Sequence, residues 1–234
     1  FIKNVIPFAM IAGVDGCKGG WIAAIDGGND RTEILLFSTF SEVLTQGFSL
    51  IVIDIPIGLL PSGIRQCDSL ARRRLGPRHS CVFTAPIRPV LTASDRSEAS
   101  KIWLGVEGKA CTEQLFNILH KIREVDRVMT PALQPCVREG HPEVSFAMMN
   151  GGEPLLKGKK FRDGREERIR LLLKYFSNVQ TRPDKSSLLK SKPDDILDAY
   201  ACLWTARRIS LGKEESLPEV PQHDERGLKA EIVV

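Results

Sequence analysis

Short apolar runs separated by turn residues occupy the first quarter of the chain and predict four β-strands. The runs fall at residues 11–15, 21–26, 33–37 and 50–55. Tight turns join the first three runs, so we expect them to form an antiparallel meander. The fourth run is nearly continuous, which is typical of a strand buried on both faces. A brief helix at 41–47, capped by Ser41, is predicted before it.

Helical patterns follow the fourth strand. Helices are predicted at residues 67–75, 94–127, 142–149, 165–176 and 193–209, with one more strand at 136–140. The chain between them predicts a basic loop at 151–164, a polar connection at 182–192 and an edge strand at 232–234. This order indicates an α/β fold in which three antiparallel strands and then parallel strands form one mixed sheet flanked by helices.

We expect a single domain over residues 11–234, with a mainly helical insertion at 60–135 after the fourth strand. Residues 1–10 lack a basic start and a cleavage site, so they are interpreted as an extension outside the core. No apolar run is long enough to cross a membrane, and no membrane partner is expected. The six cysteines form no C-x-x-C pair, which favours reduced thiols in the cytoplasm.

Acidic residues stand at the ends of two predicted strands and in the first turn of the last helix. Asp15 closes the first strand, and Asp54 interrupts the buried fourth strand. Asp195 and Asp198 lie three positions apart, so both carboxylates leave one face of the helix. Asp194 is interpreted as the cap of that helix. A turn aspartate at Asp15 and an acid stabilised by the helix dipole at Asp195 are the alternatives.

The four site aspartates, if they converge, predict a metal centre. Carboxylate oxygens are hard ligands that suit Mg²⁺ or Mn²⁺ rather than zinc. Two such ions could activate water and stabilise the leaving oxygen when a phosphodiester bond is displaced. His141 and Glu143 are further catalytic candidates, with His141 as a proton shuttle, although roles in a turn explain both equally well. Glu139 is left open between a ligand and an acid at the edge of the sheet.

Cationic residues could hold the phosphates of a substrate. The candidates are Lys18, Arg72, Arg78 and Lys160, and the last three belong to two basic groups along the chain. A solvated helix face is the alternative for these groups. The net charge of +4 adds little support, and aromatic residues make up only 6% of the chain, so stacking on single strands is not indicated.

Several stretches resemble the signatures of a family of predicted nucleases with an RNase H fold. They are residues 13–21, 53–59, 67–83, 141–146 and 194–199, and the resemblance covers roughly 11–209. In the wider superfamily, Holliday-junction resolvases also carry two aspartates three apart on the last helix, which match Asp195 and Asp198. Their first-strand aspartate matches Asp15. Asp54 stands where they usually have glutamate, and the insertion at 60–135 departs from their minimal core.

The resemblance implies an RNase H-like, metal-dependent nuclease that acts on DNA or RNA. A second hypothesis is a nucleotide-binding phosphotransferase with a single actin-like lobe, because the glycines after Asp15 are compatible with a phosphate loop. A third is an inactive module that binds nucleic acid or a protein. The sequence decides neither the substrate nor whether the chain forms a homodimer.

Overall fold

The computed structural model describes residues 10–28, 31–179 and 192–234. Three strands, β1 (Ile11–Cys17), β2 (Gly20–Asp26) and β3 (Thr32–Phe37), form an antiparallel meander. Two more, β4 (Leu50–Ile53) and β5 (Val137–Glu139), continue the sheet parallel to β1. The resulting strand order is β3-β2-β1-β4-β5. The mixed α/β sheet predicted from the sequence is therefore confirmed.

The described residues hold seven α-helices. In chain order they are α1 (Phe40–Leu44), α2 (Gln66–Leu75), α3 (Arg96–Glu107), α4 (Glu113–Val128), α5 (Pro142–Met149), α6 (Arg162–Leu172) and α7 (Pro193–Ser210). Apolar residues of α1, α3 and α4 pack on one face of the sheet. Those of α5, α6 and α7 pack on the other face. Each face thus buries its own apolar cluster, as expected for a strand set that is apolar on both sides.

Helix α7 lies directly against β1 because Gly13 has no side chain. A Cβ atom at Gly13 would overlap the backbone of Leu203 and Ala199 and would lie 2.6 Å from the carbonyl carbon of Cys202. Residues 196–206 of α7 are all buried. The polar first turn of the helix is therefore brought to the end of β1, where Asp15 lies.

The helical insertion contains α2, α3, α4 and two short 3-10 segments, Gly76–Cys81 and Arg88–Thr92. The C-terminal region forms a hairpin of β6 (Ser216–His223) and β7 (Lys229–Val233), of which only the last residues were predicted as a strand. Val233 makes a parallel bridge to Gly140, just after β5. The hairpin therefore covers the open edge of the main sheet.

Some predicted boundaries and caps were wrong. The short helix is Phe40–Leu44, and Thr39 rather than Ser41 caps it by accepting a hydrogen bond from the Glu42 amide at 3.2 Å. The predicted extension at 1–10, apart from Met10, and all but the last residue of the connection at 182–192 lie outside the described residues. Within the described ranges, no helix has the length and apolar character needed to cross a membrane.

Candidate metal centre

The register of the two central parallel strands aligns Asp15 and Asp54. Val14 pairs with Ile53, and one further step along both strands brings Asp54 beside Asp15. The Asp54 amide donates to the carbonyl of Val14 at 3.0 Å, which holds this alignment one residue beyond β4. Neighbouring residues of parallel strands point to the same face, so the two carboxylates share one side of the sheet.

That side is the face covered by α7. Side chains alternate along β1, so Asp15 points the same way as Gly13, on which α7 rests. Asp198 directly precedes Ala199, whose backbone meets Gly13, and its side chain is almost fully buried. Asp15, Asp54 and Asp198 therefore approach one another from two strand ends and one helix.

Burial raises the pKa of all three carboxyl groups, and nearby negative charges add to the effect. Burial raises the pKa of Asp15 well above its usual 3.8, and the charges of Asp54 and Asp198 raise it further. Burial likewise raises the pKa of Asp54 and of Asp198 to about 6 each, despite the opposing effect of Lys159. Like charges brought together in a dry site need a cation to stay ionised.

Lys159 supplies a positive charge at this point, and sequence reasoning did not single it out. Its Nζ contacts Oδ2 of Asp198, while Oδ1 of Asp198 is buried without a hydrogen-bond partner among the described residues. Burial alone would lower the pKa of Lys159, but Asp198 and Asp15 raise it, so the amine stays ionised. The sequence offered no signal that separates Lys159 from its basic neighbours.

The loop that carries Lys159 is fixed to α6. Arg165 Nη1 donates to the carbonyls of Lys159 and Lys160 at 3.4 and 3.0 Å. Arg168 Nη1 donates to the carbonyl of Lys157 at 3.0 Å. A Cβ at Gly164 would lie 2.8 Å from the backbone of this loop. The backbone at Lys159 is therefore held by α6, and from this fixed loop the side chain, which is 38% exposed, reaches the buried Asp198.

The first turn of α7 corrects the interpretation of its aspartates. Pro193 is the first helical residue and Lys192 is the N-cap, so Asp194 is not the cap. Asp195 does the capping, because its Oδ2 accepts from the Lys192 amide at 2.8 Å. Asp194 lies 3.9 Å from Arg165 instead. One carboxylate oxygen of Asp195 is thus engaged in capping the helix, and its role as a metal ligand stays a prediction.

His141 and Glu143 both lie beside the aspartates, with different partners. Arg168 Nη2 donates to both carboxylate oxygens of Glu143 at 2.7 Å. His141 is the N-cap residue of α5, and its Nδ1 is buried without a partner among the described residues. Burial lowers the pKa of His141, although the charges of Glu143 and Asp198 raise it. Glu143 is therefore committed to an ion pair, whereas His141 keeps a free ring nitrogen.

Glu139 belongs to the opposite face of the sheet. It pairs with Ile53 in the parallel register, one residue out of phase with Asp54. Arg65 donates to both of its oxygens at 2.7 Å and also pairs with Asp68. Burial raises the pKa of Glu139 to about 7, against the effect of Arg65. This acid is part of a buried ion network and is not one of the converging carboxylates.

The predicted phosphate-binding residues are scattered around the centre. Arg72 donates to the carbonyl of Val82 at 3.1 Å and to Thr84 Oγ1 at 2.8 Å, so it braces a loop. Arg78 is partly buried and lies next to Gly158, near Lys159. Lys18 and Lys160 are exposed. Of these four residues, Arg78 approaches the loop of Lys159 from a distant part of the chain, beside Gly158, and all four assignments stay predictions.

Two cavities flank the loop at residues 82–84. A small one of about 10 Å³, close to the least volume that holds one water molecule, lies among Asp54, Arg65 and His141. A larger one of about 560 Å³ lies on the insertion side, lined by Arg72, Trp103 and Leu115 among others. Val82 and Phe83 line both. The larger cavity is therefore separated from the aspartates by a single loop.

The residues present fit a divalent cation in chemistry and charge. They offer carboxylate oxygens, one of them a buried oxygen of Asp198 without a partner. The charges of Asp54 and Asp198 raise the pKa of Asp15, and that of Asp54 raises the pKa of Asp198, effects that a cation would reverse. Among the described residues, however, no three acid, imidazole or thiol groups are already arranged closely enough to hold a metal ion. Asp15, Asp54 and Asp198 are the residues that would hold such an ion.

The fold and site define a mixed α/β protein with an acidic cluster at the carboxyl ends of its central strands. The chain belongs to the family described as "Protein of unknown function (DUF429)", whose profile matches residues 13–223. No curated protein and no solved structure matches the chain.

Proposed function

We propose that this protein is a metal-dependent hydrolase that cleaves phosphodiester bonds of nucleic acid. The observation that carries the proposal is the convergence of Asp15, Asp54 and Asp198 at the ends of β1 and β4 and the start of α7. These elements are far apart in the sequence, yet they bring three carboxylates to one face, with Asp15 and Asp198 buried and Asp54 half-buried. A buried cluster of this kind is destabilising unless it binds a cation, which favours a functional role.

The topology supports the same proposal. A meander of three antiparallel strands followed by parallel strands, in the order β3-β2-β1-β4-β5, is the plan implied by the resemblance to RNase H-like nucleases. In open α/β sheets, ligand sites gather at the carboxyl ends of the strands, which is where Asp15 and Asp54 lie.

The protein's own groups have distinct roles in this proposal. Asp15, Asp54 and Asp198 hold Mg²⁺ or Mn²⁺, which when bound activates water and stabilises the leaving oxygen. His141, whose pKa burial lowers, would accept a proton through Nδ1, the ring nitrogen without a partner among the described residues. Arg78 faces the phosphate from the rim of the site.

Cleavage of a substrate panel tests the proposal. The panel comprises linear duplex DNA, single-stranded DNA, a four-way DNA junction and RNA, each with Mg²⁺, Mn²⁺ or a chelator. We expect cleavage of at least one substrate that the chelator abolishes. Asp15→Asn and Asp198→Asn should lower the rate by more than the about 10- to 100-fold that is typical when an outer-shell partner of a metal is lost.

Asp163→Asn is the matched control, because Asp163 is an exposed aspartate on α6 paired with Lys157. It should cleave at the wild-type rate. Cleavage that persists in both site variants would refute the assignment of the aspartates. Tight binding of ATP with Mg²⁺, and no cleavage, would favour the phosphotransferase hypothesis. Binding of nucleic acid without cleavage by the wild-type chain would favour the inactive module.

A further inference from the structure

Lys159 brings a positive charge into contact with the acidic cluster. Its Nζ contacts one oxygen of Asp198 and leaves the other, buried oxygen without a partner among the described residues. The ammonium therefore occupies one side of the acidic cluster, and the unpartnered oxygen marks the other.

Contacts with α6 fix the backbone of the loop that carries the Lys159 ammonium. Arg165 and Arg168 bond to the carbonyls of the Lys159 loop, and Gly164 lets α6 approach that loop closely. Arg168 also pairs with Glu143 on α5, so the loop is tied to two helices. Withdrawal of the Lys159 ammonium would leave the buried carboxylate of Asp198 without its ion-pair partner, which is costly.

The charges of the cluster then decide the stoichiometry. Asp15, Asp54 and Asp198 carry three negative charges when ionised, and Lys159 offsets one of them. The charge of Asp195 is stabilised instead by the positive N-terminal end of α7, where its Oδ2 accepts from the Lys192 amide. The remaining two match one divalent cation. A second divalent cation would leave two uncompensated positive charges in a buried site, which is strongly unfavourable. Glu143 does not change this balance, because Arg168 already neutralises it.

We infer that Lys159 takes the place of the second of the two cations predicted from the sequence, so that the centre holds one divalent ion. This inference rests on the proposed function, because it concerns the metal of the same site. Lys159 is a positioning residue: it fixes the orientation of Asp198 and completes the charge of the centre.

Titration with Mn²⁺, followed by the electron paramagnetic resonance signal of free Mn²⁺, tests the inference without an activity measurement. The wild-type chain should bind one ion. Lys159→Met should bind two, because the lost positive charge makes room for a second cation. Lys159→Arg keeps the charge and should bind one. Lys157→Met, which removes an exposed lysine two residues away, is the control and should also bind one.

Two bound ions in the wild-type chain, or a single ion in a folded Lys159→Met variant, would overturn the inference. If Lys159→Met does not fold, Lys159→Gln replaces it with the same expected stoichiometry of two, and two ions in the wild-type chain overturn the inference in either case. Two ions together with metal-dependent cleavage would reject only the role of Lys159. Absence of Mn²⁺ binding in every variant would reject the proposed metal centre as well.

Discussion

Replacement of Asp54 by asparagine should make the metal-free protein more stable, although it removes a candidate ligand. Burial raises the pKa of Asp54 from 3.8 to about 6, because the folded protein disfavours the ionised carboxylate. Asparagine is close in size and carries no charge, so it removes this penalty. A site residue that costs stability is expected where function requires charges to be brought together.

The size of the stability gain of Asp54→Asn, and the pH range in which it appears, follow from the raised pKa of Asp54. A difference of about two pKa units corresponds to roughly 3 kcal/mol at most, at about 1.4 kcal/mol per unit. Asp54 is partly exposed, so screening by solvent lowers our expectation to about 1–2 kcal/mol. An acid whose pKa is raised on folding costs nothing below its unfolded pKa. The cost grows as the pH rises from 3.8 to about 6 and is constant above that value.

Urea unfolding followed by tryptophan fluorescence, in a chelator, measures the free energy of unfolding at several pH values. Wild type and Asp54→Asn should coincide near the unfolded pKa and diverge up to about pH 6. Asp163→Asn should show no such gain, since Lys157 lowers the pKa of the exposed Asp163. Equal or lower stability of Asp54→Asn at about pH 8 would show that Asp54 is not a desolvated carboxylate held at a cost.

Three further predictions test the support of the site. Gly13→Ala should lower the free energy of unfolding in urea by about 3 kcal/mol or more, because its Cβ meets the backbone of α7. Gly16→Ala, whose Cβ makes ordinary contacts, should not show this loss. Equal losses in the two variants would reject the close packing of α7 on β1. Arg168→Met should lower the free energy of unfolding by about 3–5 kcal/mol, because it leaves Glu143 buried without its ion-pair partner. Adding Glu143→Gln should recover part of this loss in a double-mutant cycle, whereas strictly additive losses would show that the two residues are not coupled. Mn²⁺ at about a hundredfold excess over its dissociation constant should raise the unfolding free energy of wild type by about 2.7 kcal/mol, and that of Asp54→Asn by less; an equal gain in both would exclude Asp54 as a ligand.

The sheet could be predicted because its strands are apolar on both faces and are separated by clear turns. The strand β6 (Ser216–His223) was missed because two prolines interrupt it and its residues are mostly exposed or half-buried. Such a strand shows no alternation of apolar and polar positions. It forms through pairing with β7, which is information that the local pattern does not contain.

The cap of α7 was open to prediction. Proline is preferred at the first helical position, so Pro193 places the cap at Lys192 and makes Asp195 the third helical residue. The third position is where an acidic side chain returns to the amide of the cap. The preference for aspartate at the cap favours Asp194, but the proline at the first helical position is the stronger constraint here.

Lys159 could not be found in the same way, because its place depends on tertiary contacts of a loop. Its neighbours Lys157 and Lys160 have the same local composition, and both are exposed. Only the contacts of Arg165 and Arg168 with loop carbonyls turn Lys159 inward. A pattern of basic residues therefore predicts the presence of a cation near the acids but not which one it is.

The face of the sheet to which each strand-end acid points can be predicted from the sequence once the strand register is known. Asp54 lies two residues after Val52, whose side chain faces α7. Glu139 lies two residues after Val137, whose side chain packs in the apolar cluster on the opposite face. Since side chains alternate along a strand, Asp54 joins Asp15 and Glu139 is directed away from both. Glu139 then requires its own cation, which Arg65 supplies. The parity of an acid within its strand thus decides whether it joins the acidic cluster beside α7 or a structural ion pair on the opposite face.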